Sequence, residues 1–313
     1  MDIIVTGSLG YDYIMNFSGR FADRIMPDKI HKISLSFLVD TLEKQFGGTA
    51  GNIAYTLNLL GSSTAIVAAS GKDFAPYKAF LAKHKISTRH IAQYSNVGTS
   101  SYFVVTDDDD NQIGSFYTGA MRYAKALDLP LSGKPAIVVI APNDPEAMRR
   151  YVRACQSRHT PYLYDPAFQI ATFTPEELRT GITGSAITIG NDYEIALIEE
   201  RLAISHEELR VMVPVVVTTL GPKGSIIETK TESMHIKPAK PKKVVDPTGA
   251  GDAFRAGFLA GYLRSFDLAT CGQMGSVASV YTVEKYGTQT HTFTQKEFLA
   301  RYTENFGTVL RGL

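Results

Sequence analysis

The run Asp246-Pro247-Thr248-Gly249-Ala250-Gly251-Asp252-Ala253 sets small residues and one carboxylate at the start of an apolar helix. Gly249, Ala250 and Gly251 leave backbone N–H groups uncovered, and a helix N-terminus with bare amides attracts an anion. Asp252 stands beside that anion, where a carboxylate is repelled unless its task is to take a proton from an attacking hydroxyl. The chemistry implied is phosphoryl transfer. The structural alternative is a glycine turn with Asp252 as an ordinary N-cap.

Three further segments carry polar groups at turn positions. In Gly47-Gly48-Thr49-Ala50-Gly51-Asn52 the glycines permit close backbone approach to a ligand, and Asn52 adds a donor and an acceptor one turn into a helix. Such turns also occur without ligands. Asn191 and Glu194 fall one turn apart after a strand. A capping box and a pair that holds the waters of a magnesium ion fit this spacing equally. The stretch 217–224 ends a strand on Thr219 and a turn bounded by Gly221 and Gly224, able to hold nucleotide phosphates through a hydroxyl and backbone amides. Lys223 either adds charge there or is an exposed turn lysine. The sequence has no P-loop, no zinc-binding pattern and no nucleophile elbow. What remains by elimination is an anion hole, a carboxylate base and an Asn/Glu pair suited to magnesium.

Short β-branched runs at 3–5, 64–69, 136–140, 161–164, 186–189 and 215–219 alternate with amphipathic stretches. This predicts an α/β fold, a mostly parallel central sheet with helices on both faces. Helices are predicted over 49–60, 77–84, 145–158, 194–201, 251–264, 268–285 and 295–301. Residues 11–17 with 32–38, and 99–106 with 112–117, read as strands of a second, small sheet, the latter pair joined by an acidic turn at 107–111 that is solvated rather than metal-binding. Inserted after the first and second strands, that sheet would lie over the carboxyl ends of the main one, where ligands bind in open α/β folds, as a lid formed by about 11–40 and 96–118. The whole chain, 1–313, reads as a single domain.

Composition excludes other classes. In 313 residues, 32 basic and 31 acidic side chains with interspersed signs leave a net charge of +1, which gives no reason to expect nucleic acid or a membrane as partner. Cys155 and Cys271 are far apart and suggest neither a disulfide framework nor a metal cluster. The N-terminus carries no signal-like or spanning stretch, which predicts a cytoplasmic enzyme. Exposed lid edges offer a route to a homodimer by sheet pairing.

Taken together, the segments resemble a known family. Residues 246–252 resemble the second signature of the ribokinase-like (PfkB) sugar and nucleoside kinases, 47–52 their substrate-binding Gly-Gly-x-x-x-Asn turn, and 191–194 their Asn-x-x-Glu motif, in the family's order across most of the chain. Residues 19–21, 31–40, 115–117, 119–121, 143–148 and 252–259 are similar to the adenosine kinases of the mycobacterial type. The resemblance implies a ribokinase-like three-layer sandwich that transfers the γ-phosphoryl of ATP, as its magnesium complex, to the 5′-hydroxyl of adenosine, giving AMP for purine salvage. It makes Asp252 the base and the amides of Gly249, Ala250 and Gly251 the anion hole. Ser8, Asp12, Ser36, Gly48 and Asn52 become polar contacts to the nucleoside, Phe103 and Phe116 border its purine, and Gln169 faces it. Packing within the lid is the structural alternative for the two phenylalanines. Asn191, Thr219, Gly221 and Gly224 serve ATP, Glu194 serves Mg2+ through water, and K+ sits near Asp246 and the carbonyls of 286–288. Where the mycobacterial type places an arginine after a polar pair, this chain has Thr172, so guanosine, inosine or cytidine stay open as acceptors. The alternatives are a ribose or fructose kinase, a broad-specificity nucleoside kinase, and a nucleoside-binding regulatory protein. The intact Asp252, Asn191 and Glu194 argue against the last.

Overall fold

A computed structural model describes residues 3–26, 32, 34–109 and 111–313. Strands β1 (Ile3–Thr6), β2 (Gly10–Asn16), β3 (Thr41–Gly47), β4 (Thr64–Ser70), β5 (Ile91–Gln93), β6 (Ser100–Thr106), β7 (Gln112–Tyr117), β8 (Ile137–Ile140), β9 (Tyr162–Tyr164), β10 (Ile187–Asn191), β11 (Val215–Thr219), β12 (Ser225–Glu228) and β13 (Ser233–Ile236) form two sheets. The large sheet has the order β13-β12-β11-β10-β9-β8-β1-β4-β5 and is parallel except at β12 and β13. Its central strands are buried on both faces because successive side chains enter different cores. Ile3 and Val5 join one core, and Ile4 joins the other.

Helices α1 (Thr49–Leu59), α2 (Ala75–Lys83), α3 (Pro145–Ser157), α4 (Pro175–Thr183), α5 (Asp192–Leu202), α6 (His206–Met212), α7 (Ala250–Tyr262), α8 (Leu268–Val283) and α9 (Gln295–Phe306) cover the sheet. Ile53, Phe258, Val277 and Phe298 close one side, Tyr151, Leu178, Ile198 and Leu209 the other, which makes three layers. The helix starts divide by chemistry. Asp144, Thr174, Asn191, Ser205, Asp267 and Thr294 cap α3, α4, α5, α6, α8 and α9 with their side chains. By contrast α1, α2 and α7 begin at Gly48 (φ 87°), Phe74 and Gly249 (φ 79°), none of which caps its helix with a side chain, and the first amide of α1, on Thr49, goes to the Ser8 hydroxyl at 3.2 Å. At α7 no side chain lies on the first amides, which leaves that start able to meet an anion.

The small sheet has the order β3-β2-β6-β7, with β2 and β6 parallel. The partner of β2 is β3, not residues 32–38 as the sequence pattern predicts. Pairing from Asn16↔Thr41 to Gly10↔Gly47 delivers the chain straight into α1. Lys32 and residues 34–40 lie outside strands, and Phe37 instead packs on Phe17 and Phe21 with ring centroids 5.0 and 4.9 Å apart. Residues 27–31 and 33 of the expected lid span lie outside the described residues, as does Asp110 of the acidic turn. That turn is organised by Asp107, whose carboxylate accepts from the amides of Asp109 (3.0 Å), Asn111 (2.8 Å) and Phe21 (2.8 Å). Both cysteines are buried free thiols. No helix among the described residues is long and apolar enough to cross a membrane.

Candidate active site

The N-terminus of α7 stands between two cavities at the carboxyl end of the large sheet. The smaller, about 280 Å³, is lined by Ser8, Asp12, Gly48, Thr49, Asn52, Tyr102, Phe116, Phe168, Thr248, Gly249, Asp252 and Thr288. The larger, about 570 Å³, is lined by Thr219, Gly221, Gly224, Ala250, Gly251, Phe254, Ser276 and Val280, together with the 238–247 loop residues and the face of α8. One is a cleft in which polar side chains meet aromatic rings. The other is a mainly apolar trough.

Hydrogen bonds fix the polar groups between them. Asp252, on the first turn of α7, accepts from Asn52 Nδ2 at 2.8 Å and does not cap the helix, whose N-cap is Gly249. Asn52 is itself oriented by Gln289, whose Nε2 donates to Asn52 Oδ1 (2.8 Å) and to the Tyr77 hydroxyl (2.6 Å), while Tyr77 donates to Gly47 O (2.8 Å). Ser8, just past β1, accepts from the Thr49 amide through its hydroxyl at 3.2 Å and from the Ala50 amide through its carbonyl at 3.0 Å. Asp246 accepts from the amides of Thr248 (2.9 Å) and Gly287 (3.0 Å) and so joins the α7 turn to the 286–288 loop.

Charge is concentrated here. Burial, with the charges of Asp252 and Asp246, pushes the Asp12 carboxyl up to about 7. Desolvation also raises Asp252, opposed by Arg255 and by the hydrogen bond from Asn52, and reinforced by Glu194. An elevated carboxylate beside an uncapped helix start has the properties of a general base next to an anion hole.

Several expected residues meet in this region. Ser8, Asp12, Gly48, Asn52, Phe116, Gly249 and Asp252 line the cleft, and Ala250, Gly251, Thr219, Gly221 and Gly224 line the trough. Phe103 does not. Cross-strand pairing puts Asp12, Tyr102 and Phe116 in one row on one face, so Phe103 points to the opposite face and stacks on Tyr13 at 4.7 Å. Tyr102 occupies the position expected for it. Ser36 is exposed and outside the cleft, and Gln169 is buried with its Nε2 donating to Asn143 O at 2.7 Å, which leaves Phe168 at the cleft wall. Asn191 and Glu194 form the reciprocal capping box of α5, each bond 2.8 Å, and border neither cavity, although the Glu194 charge reaches Asp252.

Arg255 and Asp165 were not among the expected site residues. They pair at 2.6 Å beneath the cleft. Arg255 lies one helical turn after Asp252, a spacing visible in the sequence. Phe168 carries no such signal. Gly249→Ala is expected to lower both melting temperature and kcat, because φ is 79° there and a Cβ would stand 2.9 Å from Thr288 Cβ. A left-handed alanine alone costs about 1 kcal/mol, and thermal unfolding followed alongside turnover reads both effects.

The model of the pfkB family of carbohydrate kinases matches residues 11–295. A nucleoside kinase of Methanothermobacter thermautotrophicus is 33% identical over 311 residues, 98% of this chain and 97% of that protein. Among solved structures, the Burkholderia thailandensis nucleoside kinase in complex with inosine is 32% identical with a TM-score of 0.92, covering 99% of this chain and 100% of that one. The Methanocaldococcus jannaschii nucleoside kinase, an archaeal member of the ribokinase family, is 29% identical with a TM-score of 0.88, covering 97% and 99%.

Proposed function

The chain belongs to the PfkB family of carbohydrate kinases, and from that premise we propose that it transfers the γ-phosphoryl of ATP to the 5′-hydroxyl of a nucleoside, adenosine among them. The observation that carries this reading is the single uncapped helix start shared by the aromatic-flanked cleft and the trough. Asp12, Gly48 and Asn52 would take the ribose hydroxyls, and Tyr102, Phe116 and Phe168 offer ring faces to a flat base. The trough would hold ATP, with adenine toward Ser276 and Val280 and phosphates toward Thr219 and the 249–251 amides.

In the step itself, Asp252 takes the proton of the 5′-hydroxyl as its oxygen bonds to the γ-phosphorus and the bond to the β-phosphate oxygen breaks, releasing ADP and a nucleoside monophosphate. The amides of Gly249, Ala250 and Gly251 stabilise the charge in transit. Magnesium, when bound with the nucleotide, neutralises phosphate charge. Glu194 suits its waters because one carboxylate oxygen serves the capping box and the other remains available. Asp246 and the 286–288 carbonyls are hard oxygen donors of the kind a potassium ion takes.

The small sheet would act as a lid on a single domain and exclude water, the competing acceptor. Its outward face exposes Leu42, Phe103, Ile113 and Tyr117, which supports a homodimer through the lid that analytical ultracentrifugation would read.

The base reader favours breadth over adenosine alone. The Gln169 amide is committed to Asn143 O, and stacking on Phe116 and Phe168 accepts any flat base. The test is ADP release over adenosine, inosine, guanosine, cytidine, ribose and fructose. Purine nucleosides are expected to give the highest kcat/KM. A free sugar that outperforms every nucleoside defeats the proposal.

A further inference from the structure

The cleft floor is crowded with like charge. Asp252 and Asp246 act on Asp12 of β2, Glu194 of α5 and Asp252 act on Asp165 after β9, and Glu194 acts on Asp252. The buried cation beside them is Arg255, since the other buried arginine among the described residues, Arg301, is committed to Glu284 at 2.5 Å. Arg255 Nε lies 2.6 Å from Asp165 Oδ2. Its Nη1 would lie 2.8 Å from a Cβ on Gly251, so the guanidinium rests against the anion-hole turn in space that the missing side chain leaves open. Neither Asp165 Oδ1 nor Arg255 Nε has an aligned hydrogen-bond partner, so the charge of the guanidinium is the main compensation for that buried carboxylate.

We propose that Arg255 is a positioning residue for phosphoryl transfer, whose guanidinium, held on Asp165 and against Gly251, keeps Asp252 in the anionic form that accepts the proton. The inference rests on the reading of Asp252 as base. The groups facing Asp252 are few. α1 presents the neutral donor Asn52, and β2 presents Asp12. Asp165 and Glu194 approach from the sheet side, and the Tyr77 hydroxyl from α2. α8, packed along α7, has no charged side chain from Leu268 to Val283. Desolvation and the carboxylates therefore oppose ionisation of Asp252, whereas Arg255 and Asn52 favour it.

The two partners of the ion pair give opposite expectations. Arg255→Met removes the cation and should move the acid limb of the kcat–pH profile upward by about one unit or more, a loss of roughly tenfold low on the limb that recovers as pH rises. Arg255→Lys should restore the limb. Asp165→Asn removes a repelling carboxylate and frees the guanidinium, so its limb should move downward. General loosening of the fold cannot give opposite signs.

The experiment is kcat against pH, at saturating ATP and nucleoside, for wild type and the three variants, with melting curves in parallel. An unmoved limb in Arg255→Met, however low its kcat, overturns the inference. So does an unmoved or raised limb in Asp165→Asn, which decides the matter if Arg255→Met does not fold. Absence of ATP-dependent product in the wild type across all acceptors defeats the kinase reading. An active wild type with unmoved limbs defeats only this inference.

Discussion

Asp252→Asn is expected to lower kcat by roughly 10²- to 10⁴-fold while nucleotide affinity stays near that of the wild type. The substitution preserves shape and can still accept the hydrogen bond that Asn52 Nδ2 gives to Asp252 at 2.8 Å. What it removes is the lone pair able to take a proton. It also removes one of the charges that holds the Asp12 carboxyl near 7, so Asp12 should ionise at lower pH in the variant. Two measurements follow, single-turnover ADP formation and nucleoside binding at pH 6. Binding at that pH should tighten even as turnover collapses. A variant with wild-type kcat would show that Asp252 is not the base.

That coupling between Asp252 and Asp12 was not visible in the sequence, and the reason is parity. The signature at 246–253 and the turn at 47–52 are local, so their residue types announce an anion site and a close backbone approach wherever they are placed. The lid aromatics are not local. Phe103 and Tyr102 are adjacent in the chain and point to opposite faces, and only the pairing of Asp12 with Tyr102 and Tyr102 with Phe116 decides which one enters the cleft. The same holds for β3, whose first four residues, Thr41 to Lys44, are exposed and so lack a run of apolar residues, while the apolar alternation at 32–38 lies outside any described strand. Two unexpected helices, α4 and α6, did carry a readable mark. Thr174 with Glu177 and Ser205 with Glu208 are capping boxes, and each helix is too short to show much periodicity. The reverse lesson comes from Asn191 and Glu194, where one spacing served two readings and the structure shows the capping box formed.

Asp12→Asn should separate affinity from stability with opposite signs. Asp12 is buried at 7% exposure in the row with Tyr102 and Phe116, and Gly47 leaves it room, since a Cβ there would stand 2.1 Å from its Oδ2. If its carboxylate takes ribose hydroxyls, replacing charge-assisted hydrogen bonds worth about 1.5–3 kcal/mol by neutral ones should raise the nucleoside KM by on the order of 10²-fold, with ATP KM little changed. In the wild type the nucleoside KM should climb as pH falls through about 7, where Asp12 takes up a proton, and the variant should show no such climb. Stability runs the other way. The folded carboxyl titrates near 7 and the unfolded one near 3.8, so the native state binds the extra proton between those values and the wild type loses stability as pH rises from about 4 to 7. Above pH 7 that cost is complete, on the order of 2–4 kcal/mol for a shift of this size. The variant lacks it and should melt several degrees higher at pH 8 than the wild type, with the difference vanishing near pH 4. Lost affinity without that pH-dependent gain would mean that the unliganded cleft does not strain the Asp12 charge. Binding would then have to supply the burial on its own, and the lid, rather than the resting cleft, would set the titration of Asp12.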